Sequence, residues 1–147
     1  MKIVVQRVLS AECSVNGKTS GKIDRGLLVF VGVEEDDTER DLLKAAQKIK
    51  GIRIFKNKNG KISLSTSDIG GSVLLISNFT LCGSVKHGRR PDFISAAKSD
   101  KAREYYDRLI ELVSEELPVR TGVFGSTMKI TVVNDGPVTM IIDTKEI

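Results

Sequence analysis

The sequence predicts a single mixed α/β domain in which two helices pack on a sheet. Two apolar runs of strand length are each followed by a helical pattern, and further strand patterns lie at both ends of the 147 residues. The predicted order is β2-(βα)2-β3. Because two helices cannot cover both faces of a large sheet, we expect sheet-on-sheet packing, a partial barrel or packing on a second subunit.

Two strands are predicted at the start of the chain, over residues 3–9 and 11–15, because β-branched and apolar residues dominate both. The second strand ends at Asn16 and Gly17, a dipeptide that favours a tight type I′ hairpin because both residues tolerate positive φ. A continuous apolar run over 26–33 then predicts a fully buried strand.

The first helix is predicted to begin after Thr38. Asp41 lies three residues further on and completes a capping-box pattern, apolar residues recur at helical spacing from Leu42 to Ile49, and Gly51 ends the helix.

The rest of the chain continues the alternation of strands and helices. The predicted elements are a short strand over 51–55, a hairpin turn over 57–61, a buried strand over 73–81, a helix over 100–117, and tail strands over 128–133 and 138–143. The tail strands are separated by residues 134–137, all four of them turn formers.

Composition limits the chemistry. The chain has one histidine, His87, and two distant cysteines, Cys13 and Cys82, whereas a structural zinc site needs about four such ligands. An enzyme with this composition must rely largely on backbone dipoles, hydroxyl groups or groups of the substrate. No run approaches the roughly 20 apolar residues of a membrane helix, and the N-terminus lacks a signal-peptide pattern, so we expect a cytoplasmic protein without membrane contact.

Two segments carry candidate functional groups. Residues 77–81 place hydroxyls and an amide at the end of an apolar strand, where ligands meet α/β folds, although such groups also satisfy backbone groups at strand ends. Thr80 as a nucleophile would need a base, and the local sequence offers none. The loop 86–91 carries Lys86, Arg89 and Arg90, which suit phosphate contact or a solvated surface. The net charge of +4 is modest for a nucleic-acid binder.

Residues 77–81 (SNFTL) and 134–139 (NDGPVT) together resemble the two signature motifs of the D-aminoacyl-tRNA deacylases. Asn78 departs from the pattern, since the family usually has Gln there, and its amide reaches one methylene less far. Other family-like pieces occur in the same order along essentially the whole chain: residues 6–8 (QRV), 24–33, 42–55, 88–91 (GRRP) and 121–125 (TGVFG).

The resemblance implies a homodimeric enzyme that hydrolyses the ester between a D-amino acid and the 3′ end of tRNA, and that also removes glycine from mischarged tRNA. It implies no cofactor, no metal and no DNA partner. In the family the Gly-Pro bond is cis and reaches into the partner subunit's active site. Gly136 and Pro137 would thus present carbonyls to the substrate amino group and exclude an L side chain, while Arg7 would hold the pair in place.

The resemblance also assigns the catalytic segment to Ser77, Asn78, Phe79 and Thr80. Backbone N–H groups near Phe79 and Thr80 would stabilise the oxyanion, with the tRNA 2′-hydroxyl helping to activate water. Thr80 as a covalent nucleophile is the rival mechanism.

Further contacts follow from the same resemblance. Lys86, Arg89 and Arg90 would contact acceptor phosphates. Phe124 and Met128, with Gly125, would line an adenosine pocket or the dimer interface, or serve as ordinary core.

Two other functions fit the sequence. A non-catalytic nucleic-acid-binding module would bind charged and uncharged tRNA alike. An esterase for small D-amino esters would not need the basic loop.

Overall fold

The computed structural model describes residues 1–147. The strands are β1 (Lys2–Val15), β2 (Lys18–Ile23), β3 (Gly26–Gly32), β4 (Phe55–Lys56), β5 (Ile62–Leu64), β6 (Ser72–Ser77), β7 (Val119–Thr121) and β8 (Lys129–Asp143). The helices are α1 (Glu39–Gly51) and α2 (Ser99–Ser114), and short 3₁₀ turns cover Phe79–Cys82 and Thr144–Glu146.

The main sheet has the order β2-β1-β3-β6-β7, and β8 pairs with the other edge of β1. β3 and β6 run parallel across α1, and β6 and β7 run parallel across α2, so the chain contains two strand-helix-strand units. Both helices bury their apolar faces against one side of the sheet and share the larger core with β1, β3 and β6. The predicted mixed α/β class with two helices is confirmed.

The sheet nearly closes into a barrel. The first half of β1 pairs with β3 and the second half with β2, while β8 follows β1 along almost its whole length. This curl encloses a second, smaller core that includes Cys13, Leu28 and Leu74. A Cβ on Gly21 of β2 would lie 2.5 Å from the backbone oxygen of Thr121 in β7, so these two edges almost touch. Of the three arrangements expected for the sheet, the partial barrel is therefore confirmed.

Several element boundaries differ from the sequence prediction. The two strands predicted over 3–15 form one continuous strand, and β2 and β7 were not predicted. In place of a strand over 51–55, Phe55–Lys56 and Ile62–Leu64 form a small hairpin around Asn59 and Gly60. The buried strand predicted over 73–81 ends at Ser77, because the chain turns there into a 3₁₀ turn.

The two tail strands also form one strand, β8, rather than a hairpin. Asn134 pairs with Val8 and Thr139 pairs with Gln6. The six residues 134–139 of β8 therefore lie opposite only three residues of β1, 6–8. The intervening residues 135–138 bulge out of the sheet, and we call them the tip. Asn134 closes its base, since its Oδ1 accepts from the backbone N of Val138 at 2.9 Å.

The predicted turn and cap are confirmed. Asn16 and Gly17 have φ values of 50° and 76° and join β1 to β2, as a type I′ turn requires. Thr38 and Asp41 form the reciprocal capping box of α1. No helix in the structure has both the length and the apolar character needed to cross a membrane.

Candidate functional site

A cavity of about 460 Å³ opens where the parallel strands β3 and β6 end. Val31 of β3 and Val33, which follows that strand, line one side, and Ser77, Asn78 and Phe79 line it at the end of β6. Its other walls are Ala97, the start of α2 with Ser99 and Ala102, and the loop residues 124–128. The carboxyl ends of parallel strands are the usual place for a ligand in such folds.

None of the thirteen residues that line this cavity carries an ionisable side chain. The polar groups available there are hydroxyls, one side-chain amide and the backbone. The thiol of Cys82 lies beneath the 3₁₀ turn, buried, with Sγ 3.4 Å from the carbonyl oxygen of Val33. Burial, with Glu34 and Asp37 nearby, raises the pKa of this thiol to about 11, so it is protonated and a poor nucleophile at neutral pH.

The segment after β6 holds a fixed shape. The backbone N of Asn78 donates to the carbonyl oxygen of Val31 at 2.8 Å, which extends the parallel pairing by one step. The hydroxyl of Thr80 donates to Oδ1 of Asn78 at 2.5 Å. An amide oxygen is too weak a base to take a hydroxyl proton, so this contact does not activate Thr80.

Phe79 and Thr80 are the first two residues of the 3₁₀ turn. The backbone N–H groups at the start of a helical turn have no hydrogen-bond acceptor within that turn. Phe79 is 56% exposed at the mouth of the cavity. Its ring packs edge-on against Phe93, with centroids 5.0 Å apart. The same turn thus offers both an aromatic surface and backbone donors to a ligand.

Phe124 forms the opposite wall. Its ring lies 5.9 Å from the ring of buried Tyr106, and the guanidinium of Arg103 lies 5.3 Å above it. The hydroxyl of Tyr106 donates to the carbonyl oxygen of Leu75 at 2.8 Å, and burial raises the pKa of this hydroxyl. Phe124 therefore packs against two side chains of α2, and it lines the cavity together with Met128.

The tip lies apart from this cavity. The Gly136-Pro137 peptide bond is cis, and both residues are exposed. The tip is anchored by Arg7, which is 5% exposed. Nε of Arg7 donates to the carbonyl oxygen of Asp135 at 2.9 Å, and Nη1 donates to that of Ile54 at 2.6 Å.

The loop 86–91 is exposed and extends from the base of the site. A pair of backbone hydrogen bonds between Ser84 and Asp92 closes it, next to Phe93. Lys86, Arg89 and Arg90 form no ion pair and remain free to meet an anion.

One acidic cluster, Glu34, Asp36 and Asp37, has the geometry to hold a cation. Two cationic groups of the same chain already form ion pairs with it. The ammonium of Met1 lies 2.5 Å from Asp37, and Lys145 pairs with Asp36 and Glu34. The cluster therefore stabilises the fold by joining the chain's first and last segments.

The structure brings together Ser77, Asn78, Phe79, Phe124 and Met128, and it places the hydroxyl of Thr80 against Asn78. Within one chain it does not bring the tip to them, because none of residues 134–139 lines the cavity. Ala97, Ser99 and Ala102 were not identified as site residues. Ala102 falls within the helix predicted over 100–117, and nothing in the sequence shows that this helix begins at the cavity.

Comparisons with known proteins give a consistent result. The family model for D-Tyr-tRNA(Tyr) deacylase matches residues 4–143. The D-aminoacyl-tRNA deacylase of Geobacter sulfurreducens is 49% identical over 146 residues, which cover 99% of this chain and 96% of that protein. The D-aminoacyl-tRNA deacylase of Persephonella marina is 50% identical over 145 residues, which cover 99% of each.

Two solved structures share the fold. The c-Myc DNA unwinding element binding protein superposes with a TM-score of 0.92 at 35% identity, over 97% of this chain and 98% of that one. A probable eukaryotic D-amino acid tRNA deacylase superposes with a TM-score of 0.80 at 20% identity, over 96% and 97%. The family match and the two D-aminoacyl-tRNA deacylases define the class of the protein as a hydrolase. Within that class, the chain belongs to the D-Tyr-tRNA(Tyr) deacylase family.

Proposed function

We propose that this protein hydrolyses the ester bond of D-aminoacyl-tRNA and of mischarged glycyl-tRNA, releasing free amino acid and tRNA. The observation that carries the proposal is membership of the family over nearly the whole chain, at about 50% identity to two deacylases. Residues 1–147 act as one deacylase domain. The enzyme works in the cytoplasm, where its tRNA substrate is charged.

Gly136 and Pro137 select the substrate by shape. Their backbone carbonyls meet the amino group, and their bulk occupies the space that an L side chain needs. A filter made of backbone rejects by steric exclusion and reads almost nothing of a D side chain, so one enzyme serves many D-amino acids. Glycine has no side chain to exclude, and glycyl-tRNA therefore passes the same filter.

The filter acts between two subunits of a homodimer. Two observations support this arrangement. Gly136 and Pro137 are exposed and no residue of the tip lines its own chain's cavity, which fits a tip supplied to the ester by a second chain. Exposed apolar side chains lie on β1 and β8, the strands that carry Arg7 and the tip, and a partner would cover them: Leu9, Val132, Val133, Met140 and Ile141.

Hydrolysis uses the backbone of the 3₁₀ turn. The amide N–H groups of Phe79 and Thr80 stabilise the oxyanion that forms when water attacks the ester carbonyl. The 2′-hydroxyl of the terminal ribose helps to activate that water. The lack of ionisable side chains around the cavity supports a mechanism in which the substrate supplies this group.

The tRNA end binds on both sides of the cavity mouth. Phe124 and Met128 contact the terminal adenosine, and Lys86, Arg89 and Arg90 contact acceptor phosphates. The free cationic side chains of the loop 86–91 and its attachment beside Phe93 support this assignment.

A second candidate function is nucleic-acid binding without catalysis. The observation that favours it is the name of the structural relative at 35% identity, a DNA unwinding element binding protein. A pure binding module would hold charged and uncharged tRNA equally well and would hydrolyse neither.

The test compares D-tyrosyl-tRNA with L-tyrosyl-tRNA under single-turnover conditions. We expect hydrolysis of the D substrate at least roughly a hundredfold faster than that of the L substrate. Ala102→Trp, which fills the cavity, is the inactive control. Equal rates on the two enantiomers would contradict the filter, and no release from either substrate with retained tRNA binding would favour the binding module.

A further inference from the structure

The hairpin formed by β4, β5 and their connecting turn carries charges of one sign only in its first half. The nine residues 53–61 contain four basic side chains and no acidic one. The charge of this segment therefore equals the net charge of the whole protein, +4. Arg53 is partly engaged, since it lies 3.6 Å from Asp68. Lys56, Lys58 and Lys61 are exposed and form no ion pair.

The turn that carries these lysines is held rigidly by Asn57. Its Oδ1 accepts from the backbone N of Asn59 at 2.9 Å and from that of Lys61 at 3.1 Å. Its Nδ2 donates to the hydroxyl of Ser63 at 2.9 Å. The lysine backbone positions are therefore fixed before any ligand binds, which lowers the entropy lost on binding.

The base of the hairpin is buried in the core. Ile54 is 5% exposed and Phe55 is fully buried, and the guanidinium of Arg25 lies 5.6 Å above the Phe55 ring. The basic hairpin is thus a rigid projection from the barrel, unlike the loop 86–91, which is attached only through Ser84 and Asp92.

Arg7 joins this hairpin to the tip. One guanidinium donates both to the carbonyl oxygen of Ile54, next to β4, and to that of Asp135, next to Gly136. The base of the hairpin, at Ile54, and the tip therefore lie side by side, and the three lysines follow Ile54 by two, four and seven residues in the chain.

We propose that the basic hairpin, residues 53–64, is an RNA-binding surface that contacts the phosphate backbone of the tRNA whose ester the tip faces. This inference rests on the proposed function, in which the tip lies against the aminoacyl end. An RNA backbone fits because it presents closely spaced negative charges to three unpaired lysines. In the dimer, the loop 86–91 comes from the subunit that supplies the cavity and the basic hairpin from the subunit that supplies the tip.

The test is the triple variant Lys56→Gln, Lys58→Gln, Lys61→Gln. Its matched control, Lys18→Gln, Arg40→Gln, Lys48→Gln, removes three exposed charges from β2 and α1. Two substrates are used: D-tyrosyl-tRNA, and D-tyrosyl-adenosine, which has the ester but no phosphodiester. Binding of uncharged tRNA is measured separately as a function of salt.

We expect the hairpin variant to raise KM for D-tyrosyl-tRNA roughly tenfold and to leave kcat unchanged. For tRNA binding, the slope of the log association constant against log salt concentration should fall in magnitude by about 2. Hydrolysis of D-tyrosyl-adenosine stays at the wild-type rate, and the control variant matches wild type throughout. An unchanged KM and salt slope would overturn the proposal, as would equal losses on both substrates, because those indicate a disturbed tip.

The two proposals fail in different ways. If wild-type protein hydrolyses neither substrate, the proposed function is wrong, and the salt dependence of tRNA binding still decides whether the basic hairpin contacts RNA. If wild type hydrolyses both and the hairpin variant binds tRNA normally, only the hairpin assignment is wrong.

Discussion

Nε of Arg7 donates a 2.9 Å hydrogen bond to the carbonyl oxygen of Asp135, a residue 128 positions further along the chain. The side-chain carboxylate of Asp135 lies 3.2 Å from the same nitrogen. Because Arg7 is almost fully buried and also binds Ile54, its guanidinium cannot follow a mobile tip. It therefore fixes the orientation of the peptide that precedes Gly136.

Arg7→Lys should loosen the tip while keeping the charge. A lysine ammonium cannot reproduce the planar fork that reaches Ile54 and Asp135 together. We expect the D-to-L selectivity to fall at least about tenfold and the free energy of unfolding to fall by about 1.5–3 kcal/mol. Single-turnover hydrolysis of both enantiomers and urea unfolding measure these effects.

Arg120→Lys is the matched control, because Arg120 is exposed on β7 and makes no side-chain hydrogen bond or ion pair. A stable Arg7→Lys protein with wild-type selectivity would show that the tip does not depend on this contact.

Two variants, one whose tip can no longer hold the substrate's amino group and one whose cavity is filled, should each be inactive alone and regain activity when mixed if the tip acts on the partner subunit. Gly136→Ala damages the tip, because φ is 154° there and a Cβ would lie 2.5 Å from the backbone N of Val138. Ala102→Trp fills the cavity. Half of the randomly re-formed dimers contain one subunit of each variant. In such a dimer one of the two active sites combines an intact tip with an intact cavity, so about a quarter of wild-type activity returns.

The measurement is hydrolysis of D-tyrosyl-tRNA after joint refolding of the two variants in equal amounts. Each variant refolded alone serves as the control. Recovery of no activity in a mixture that sediments as dimers would place the tip and the cavity in the same subunit.

Local sequence signals predicted the features that are decided locally. Asn16 with Gly17 and Thr38 with Asp41 are such cases, since a turn or a cap depends on residues within one stretch of chain. The fold class followed from the two strand and helix units. The position of Ser77, Asn78 and Phe79 at the end of an apolar strand predicted that they lie where a ligand meets the fold. All three line the cavity.

The continuity of β1 and β8 could not be predicted in this way. Residues 134–137 have the composition of a turn, and they do leave the sheet, but both flanks pair with β1 instead of with each other. That choice depends on a long-range partner. The separation of the tip from its own cavity is likewise a property of the closed sheet, which the local pattern does not encode.

Thr80→Val tests whether the hydroxyl is a nucleophile. With only the side-chain oxygen of Asn78 as a hydrogen-bond partner, Thr80 has no base, so we expect kcat to stay within about tenfold of wild type. Loss of a true covalent nucleophile would cost at least about a thousandfold. Thr19→Val, on β2, is the control for removal of an exposed threonine hydroxyl.

Intact-mass measurement during turnover gives an independent readout. A mass increase equal to one tyrosyl group on the wild-type protein, absent from Thr80→Val, would establish the covalent mechanism and contradict the backbone mechanism. We expect no such adduct.

Asp41 should make the protein sensitive to acid. Burial alone would raise its pKa, but hydrogen bonds from the backbone and hydroxyl of Thr38 and from the hydroxyl of Thr144 outweigh this and lower the pKa to about 2. The folded state therefore binds the carboxylate form more tightly than the unfolded state does. Its contribution is complete above the ordinary value of 3.8 and disappears as the pH falls towards 2.

Asp41→Ala removes the helix cap and the link from α1 to Thr144. We expect a loss of about 1 kcal/mol in the free energy of unfolding at pH 7, in the range for a lost cap. The difference from wild type should shrink between pH 4 and pH 2, where the wild-type carboxylate also loses its charge. Urea unfolding at several pH values measures this, with Glu111→Ala, an exposed acid in α2, as the control. A difference that stays constant down to pH 2 would mean that the charge of Asp41 contributes nothing and that only the shape of the cap matters.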